Sequence, residues 1–196
     1  MDILVGCPTA KMIDVSTVSC IQDLQLPTIY VVDSLVYDAR NELVNQALKH
    51  EAKYLLFVDS DMIFKREDLQ SMLNRGVDIC TGLYVERTGE KHRPTVYSNI
   101  DVRTQEHNGI KEHITEVKPF FEVKGCGMGF CLINTEVFKN IIKYYGDCFQ
   151  PIGGLGEDLS FCWRATHLGY KIYCDSTFEL GHMGHYTYTL KDWKKD

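Results

Sequence analysis

Residues Tyr54 to Phe64 read Tyr-Leu-Leu-Phe-Val-Asp-Ser-Asp-Met-Ile-Phe, five apolar residues running straight into an Asp-x-Asp triplet. An apolar run this short, rich in aromatic and branched side chains, has the pattern of a strand buried on both faces. Asp59 and Asp61 at its carboxyl end can swing toward a common point, where two bare carboxylates repel each other. A divalent cation removes that conflict, and oxygen ligation at a strand end suits Mg2+ or Mn2+, which leave positions open for substrate phosphates. Taken alone, the triplet reads equally well as two solvated turn aspartates, so the rest of the chain has to decide.

The 196 residues are enough for one domain with a substantial core and few for two; a single domain over 1–196 is expected. A hydrophobic content of 44% beside 24% charged residues matches a soluble protein, and no tract of low complexity suggests a linker. The formal charge of −6 disfavours broad nucleic-acid binding. No basic leader precedes Ile3, and no apolar run approaches the roughly 18 residues of a membrane helix, so a cytoplasmic protein or an excised domain is the expectation. The eight cysteines form no Cys-x-x-Cys pair, and Cys7, Cys20, Cys80, Cys131, Cys162 and Cys174 lie in apolar segments. Buried free thiols of a reducing compartment follow.

Upstream of the central run, Ile3 to Gly6 reads as a short strand that stops at Cys7-Pro8-Thr9-Ala10, because proline cannot continue a central ladder. In an open α/β sheet, a first strand ending in a loop is where the ligand crevice begins. Ser16 to Leu24 has weak helical character, and Thr28 to Val32 is a second strand that finishes at Asp33. Leu35, Ala39, Leu43, Val44, Ala47 and Leu48 recur at helical spacing. Arg40 and Asn41 sit near the start of that helix, where a guanidinium can pair with a phosphate or base; spacing alone favours a solvated helix face.

Downstream, Arg66 to Asn74 reads as a helix closed by Gly76, Val77 to Tyr84 as a strand, and Pro94 to Tyr97 as an edge strand. Asn99 to Glu116 is a hairpin or insertion of little apolar pattern. Gly125, Gly127 and Gly129 alternate before the strand Phe130 to Asn134 and a helix from Thr135 to Tyr145. Such glycines let a backbone pass close to a ligand or take positive φ at a sharp bend. Gly153-Gly154-Leu155-Gly156 then approaches Glu157 and Asp158 in the first turn of a helix, where the dipole favours negative charge. Capping explains one acid there, not a glycine-rich approach ending in two. After a strand at Lys171 to Cys174, His182 and His185 flank Met183-Gly184, and an imidazole can complete a mixed oxygen and nitrogen metal site.

In this order the parts resemble the GT-A glycosyltransferases, above all the small family 2-like enzymes. The matching segments are "ILVGCPT" from Ile3, "DARN" from Asp38, "LLFVDSDMIF", "VKGCGMGFCLI", "GEDLSFCWRATHLGYKIYCD" and "LGHMGH"; Glu86 to Glu116 lies outside the resemblance. It implies a Rossmann-like GT-A α/β/α sandwich with a mixed, mostly parallel central sheet. It also implies transfer of one sugar from a nucleotide-diphosphate sugar, a UDP-sugar favoured, to a hydroxyl acceptor with inversion. Asp61, with Asp59 directly or through ribose and water, is then expected to hold Mn2+ or Mg2+, with His182 as third protein ligand and His185 the competing choice. Pro8, Thr9, Asp33 and Arg40 are expected to line the nucleotide pocket, with Ser60 and Gly127 also on the donor. Asp158 is the expected general base and Glu157 its support.

The acceptor stays open among a glycan, a lipid-linked sugar, a protein and a modified DNA base. The chain lacks the Gln-x-x-Arg-Trp pattern of processive synthases, which favours single-sugar transfer. Sugar-phosphate nucleotidyltransfer is a rival that wants a glycine-rich basic loop after the first strand, where this chain has just Gly6 and Lys11. An aspartyl-phosphate phosphatase places its Asp-x-Asp after the first strand rather than the third. A catalytically inactive sugar-nucleotide-binding module is the rival outside enzymology.

Overall fold

The computed structural model describes residues 2–32, 34–86, 92–104, 108–184 and 189–192. Asp33 and His185, both named above as site candidates, lie outside the described residues. In chain order the elements are β1 (Ile3–Thr9), α1 (Val15–Leu24), β2 (Thr28–Val32), α2 (Val36–Lys49), β3 (Tyr54–Val58), β4 (Met62–Ile63), α3 (Arg66–Arg75) and β5 (Ile79–Gly82). They continue with β6 (Val96–Arg103), β7 (Asn108–His113), β8 (Phe120–Val123), β9 (Gly125–Cys126), β10 (Phe130–Asn134), α4 (Thr135–Tyr145), α5 (Glu157–His167), β11 (Ile172–Asp175) and β12 (Gly181–His182).

Seven strands form the central sheet in the order β2-β1-β3-β10-β5-β11-β8. Strands β1, β2, β3, β5 and β11 share one direction, and β10 and β8 run against it. The expected mixed, mostly parallel sheet is therefore what the chain forms. Because successive side chains of a strand face opposite ways, β3 serves two cores at once. Leu55 and Phe57 pack with α2, α4 and α5, and Leu56 and Val58 pack with α1 and α3. Phe57 is fully enclosed, with Phe149 and Phe138 meeting it edge-on at 5.3 and 6.3 Å. The result is three layers, helices on both faces of the sheet.

Local signals set the helix ends. Asp14 Oδ1 accepts from the Ser16 N–H at 2.7 Å to start α1, and Asn134 Oδ1 accepts from the Glu136 N–H at 3.1 Å to start α4. Gly76 takes φ 63° to close α3.

Three expectations need correction. β1 does not stop at Gly6 but runs through Pro8 to Thr9, paired with Val31 and Val32 of β2. Pairing with β3 ends at Gly6, so Pro8 lies where β1 has become an edge on that side. The strand read at Val77 to Tyr84 shrinks to Ile79–Gly82, and the one read at Pro94 to Tyr97 extends to Arg103. The hairpin read at Asn99 to Glu116 does form, β6 with β7, and with β9 it makes a separate three-stranded sheet. All eight cysteines are free and all but Cys20 are buried.

Candidate active site

Four chain segments bring their ends to one edge of the sheet: β1, the start of α2, β3 and the first turn of α5. There Pro8, Thr9, Arg40, Asp59, Ser60, Asp61, Glu157 and Asp158 line a cleft of about 280 Å3. A second cavity of about 470 Å3 adjoins it and shares Asp59 and Asp158 with it; Tyr84, Gly127 and His182 line this one. Two chambers thus meet at two carboxylates.

Arg40 holds that junction. Its side chain is only 2% exposed, against the solvated helix face that spacing favoured. Nη2 donates to Asp59 Oδ1 at 3.0 Å, and Nε lies 3.2 Å from Asp158 Oδ1 and 3.7 Å from Glu157 Oε1. The guanidinium sits over the Phe57 ring at 5.5 Å. One buried cation facing three carboxylates is held firmly protonated, since Asp59, Asp158 and Glu157 together outweigh the opposing effect of burial. Nε is ion-paired with Asp158 and Glu157, whereas Nη1 lacks a hydrogen-bond acceptor among the described residues, so the cleft keeps one buried guanidinium donor unused. The neighbouring Asn41 points elsewhere. Its Oδ1 accepts from the N–H groups of Cys148 and Phe149, at 3.2 and 3.1 Å, and stitches the loop after α4 to α2.

Asp158 is the carboxyl of the cleft whose titration is most displaced. Burial drives its pKa upward from 3.8, Arg40 opposes the rise, Glu157 and Asp59 add to it, and the Met128 N–H, donating to Oδ2 at 3.2 Å, lowers it again. The balance leaves it pushed up to about 7. A quarter of the side chain stays exposed, so the carboxyl is desolvated yet reachable.

His182 is placed by a pairing that sequence patterns do not announce. The two-residue strand β12 pairs antiparallel with β4, setting His182 opposite Met62, and the Met183 N–H donates to the Asp61 carbonyl at 2.7 Å. His182 Nδ1 lies 2.8 Å from the Val85 carbonyl oxygen, which only accepts, so Nδ1 carries the hydrogen. Nε2 is left facing Asp61 Oδ1 at 3.4 Å. A backbone carbonyl that fixes the tautomer and frees the other nitrogen is the usual outer shell of a metal-binding histidine. Asp61 and His182 therefore fit one side of a Mn2+ or Mg2+ site. Asp59 Oδ1 is engaged by Arg40, and among the described residues no three His, Cys, Asp or Glu side chains are gathered for a metal. Such ions are commonly held by one or two protein groups and completed by substrate phosphates.

One of the two readings offered for the glycine-rich wall, positive φ, does not hold, while Gly127 does line the larger chamber. None of Gly125, Gly127 and Gly129 has positive φ. What comes close is Tyr84: its hydroxyl accepts from the Gly129 N–H at 2.9 Å, and a Cβ on Gly129 would fall 2.7 Å from that oxygen. A Cβ on Gly127 would meet the same hydroxyl first. Tyr84 also meets His182 edge-on at 5.2 Å, so the phenol joins the glycine wall to the histidine. The Asp59 N–H donates to the Gly129 carbonyl at 2.9 Å, tying the wall to the Asp-x-Asp strand. Gly127→Ala is expected to cost about 1–3 kcal/mol by overpacking, read from urea unfolding. The Gly127→Ala/Tyr84→Phe double variant should cost less than the sum of its parts; strict additivity would place the clash elsewhere.

Tyr84, Glu86, Tyr97 and Lys111, which line the larger chamber, were not singled out in the sequence. Tyr84 carried a usable signal, a tyrosine at the end of an apolar strand pattern.

The sequence matches no family model and no curated protein. Its fold is similar to that of A197 from STIV, with a TM-score of 0.69 at 21% identity over 94% of this chain and 86% of that one. It is also similar to CMP:2-keto-3-deoxy-manno-octonic acid synthetase complexed with CTP, with a TM-score of 0.50 at 11% identity over 90% of each chain. These likenesses show a Rossmann-like α/β fold.

Proposed function

We propose that the chain is a glycosyltransferase that moves one sugar from a nucleotide-diphosphate sugar, a UDP-sugar favoured, to a hydroxyl acceptor with inversion. The observation that carries this is the meeting of two chambers at Asp59 and Asp158. The smaller suits the donor: Pro8, Thr9 and Ser60 border it, and Arg40 Nη1, left without an acceptor among the described residues, offers a hydrogen bond to a diphosphate oxygen. The larger suits the acceptor, with Asp158 in its wall. Asp158 takes the acceptor hydroxyl proton as oxygen attacks the anomeric carbon, and the sugar–phosphate bond breaks with its electron pair going to the diphosphate. Attack from the chamber opposite the leaving group inverts the anomeric centre. Glu157, also on Arg40, keeps the guanidinium seated beside the base. Asp61 and His182 are the residues that would hold Mn2+ or Mg2+, with Asp59 joining through water or ribose, and such an ion supplies Lewis-acid stabilisation of the leaving diphosphate.

A thermal-shift screen of nucleotide-sugars with Mn2+ tests the reading. A donor at about 100 times its Kd stabilises by about 2.7 kcal/mol, and melting that ignores every nucleotide-sugar, with and without Mn2+, would end the proposal. Asp61→Ala is expected to weaken Mn2+-dependent binding of UDP in calorimetry by about tenfold or more; equal affinity with and without Mn2+ in the unmodified protein would remove the metal assignment.

The fold alone also suits sugar-phosphate nucleotidyltransfer, and this is the second reading. Pyrophosphate release from CTP or UTP in the presence of a sugar phosphate would establish it. The shortage of glycine and basic residues after β1 speaks against it.

A further inference from the structure

The larger chamber owes its outer wall to the segment that carries no recognisable motif. Glu86, just beyond β5, and Tyr97 and Lys111 of the β6–β7 hairpin face Asp158 across it. The hairpin is fixed to the loop that leads into α5: Lys111 Nζ donates to the Gly154 carbonyl at 2.8 Å, and the Arg103 N–H donates to the Gly153 carbonyl at 2.7 Å. Asp101 Oδ1 accepts from the Trp163 indole N–H on α5 at 3.2 Å. The wall is therefore held in register with the candidate base rather than hanging free.

Resting on the glycosyltransferase reading for its location, we propose that this chamber binds an uncharged sugar residue of the acceptor, whose hydroxyls donate to Glu86 beside Tyr97, and that it turns away anionic acceptors. An ionised carboxylate only accepts hydrogen bonds, so Glu86 selects donors such as hydroxyls and repels carboxylates and phosphates. Tyr97 remains protonated, because burial and then Glu86 push its phenol pKa up, and it hydrogen-bonds Glu86. That bond orients the carboxylate. His113 Nε2 stands 3.9 Å from Glu86, its ring packed 4.4 Å from that of Tyr97 and its Nδ1–H donated to the Pro94 carbonyl at 2.8 Å. The balance of charge agrees. Among the described lining residues Asp59 and Asp158 share the Arg40 guanidinium and Lys111 is engaged with Gly154, so Glu86 is the acidic group of the chamber that stands apart from the Arg40 cluster. A volume of about 470 Å3 lies in the range of small-molecule sites, about 300–1,000 Å3. The acidic lining and the chain's charge of −6 argue against a polynucleotide acceptor, which needs a basic track.

Saturation-transfer NMR tests this with the whole chain in UDP and Mn2+. The probes are methyl glycosides of glucose, galactose and mannose beside the corresponding uronic-acid glycosides; octyl glucoside separates a lipid-linked source, through added saturation of its alkyl chain, from a free glycan end. At least one neutral glycoside should bind about tenfold more tightly than its uronate. Glu86→Gln should shrink that preference to near unity, and Glu86→Asp should restore it in part, a pattern that a merely structural role would not produce. A uronate that binds as well as its neutral partner, a preference untouched by Glu86→Gln, or no glycoside binding at all would each overturn the proposal. UDP binding measured calorimetrically on the same samples keeps the two readings apart. If UDP fails to bind, the glycosyltransferase reading falls; if UDP binds and no glycoside does, only the acceptor inference falls.

Discussion

Asp158→Asn is expected to lower sugar transfer by about 100- to 10,000-fold with donor affinity nearly unchanged. The carboxamide keeps the shape and can still accept from the Met128 N–H, but it cannot take a proton from the acceptor. In the unmodified protein kcat/KM should rise with pH and level off above about 7, where Asp158 loses its proton; the residual activity of Asp158→Asn should lack that limb. The same group enters stability with a determinate sign. Its folded pKa lies above its ordinary value of 3.8, so its favourable contribution is complete below about pH 4 and is lost as the pH rises through about 7. Asparagine has no such dependence, so Asp158→Asn should gain in melting temperature relative to the unmodified protein between pH 5 and pH 8. Full turnover in Asp158→Asn would remove the residue from the base role; lost activity together with collapsed melting at all pH values would attribute the loss to folding.

The layered sheet was legible because its signals are local. The run Tyr54–Val58 cannot sit in water, and the amphipathic spacing from Ala39 to Ala47 leaves the preceding helix one way to face. The clustering of Asp59, Asp61, Glu157 and Asp158 at one edge follows from the rule that such strands end where helices begin. What stayed hidden depends on contacts between distant segments. His182 reaches Asp61 through a pairing of two residues with two, too short to leave a periodic pattern. That the glycines of the wall are packed closely by Tyr84, more than forty positions away in the chain, left no local trace either. "DARN" read as one motif, but its last two polar groups diverge: Arg40 turns into the cleft and Asn41 into a loop that it caps. The pattern-poor hairpin says little in sequence because its apolar contribution to the core comes from a few residues of β6, Val96 and Ile100 above all, while the described residues of β7 bury none.

Arg40→Met is expected to cost about 3–5 kcal/mol of stability, the penalty for removing one partner from a buried ionic cluster. The reason is asymmetry. Methionine fills much of the volume over Phe57, so the loss is not one of packing; it leaves Asp59, Glu157 and Asp158 facing one another with no cation among them. Some of that loss should return in Arg40→Met/Asp158→Asn, where one of the three carboxylates is neutral, giving a coupling energy between the two positions. Arg40→Lys should recover less than charge alone suggests, because an ammonium cannot reach Asp59 and Asp158 from one planar fork. A second readout separates a site role from a structural one. Arg40 is the cation that holds the Asp158 pKa down against burial, so its removal should move the acidic limb of kcat/KM to higher pH, even at temperatures where the variant is fully folded. Urea unfolding indistinguishable from the unmodified protein would mean that the three carboxylates find other counter-charges, and an unmoved pH limb would separate Arg40 from the base it touches.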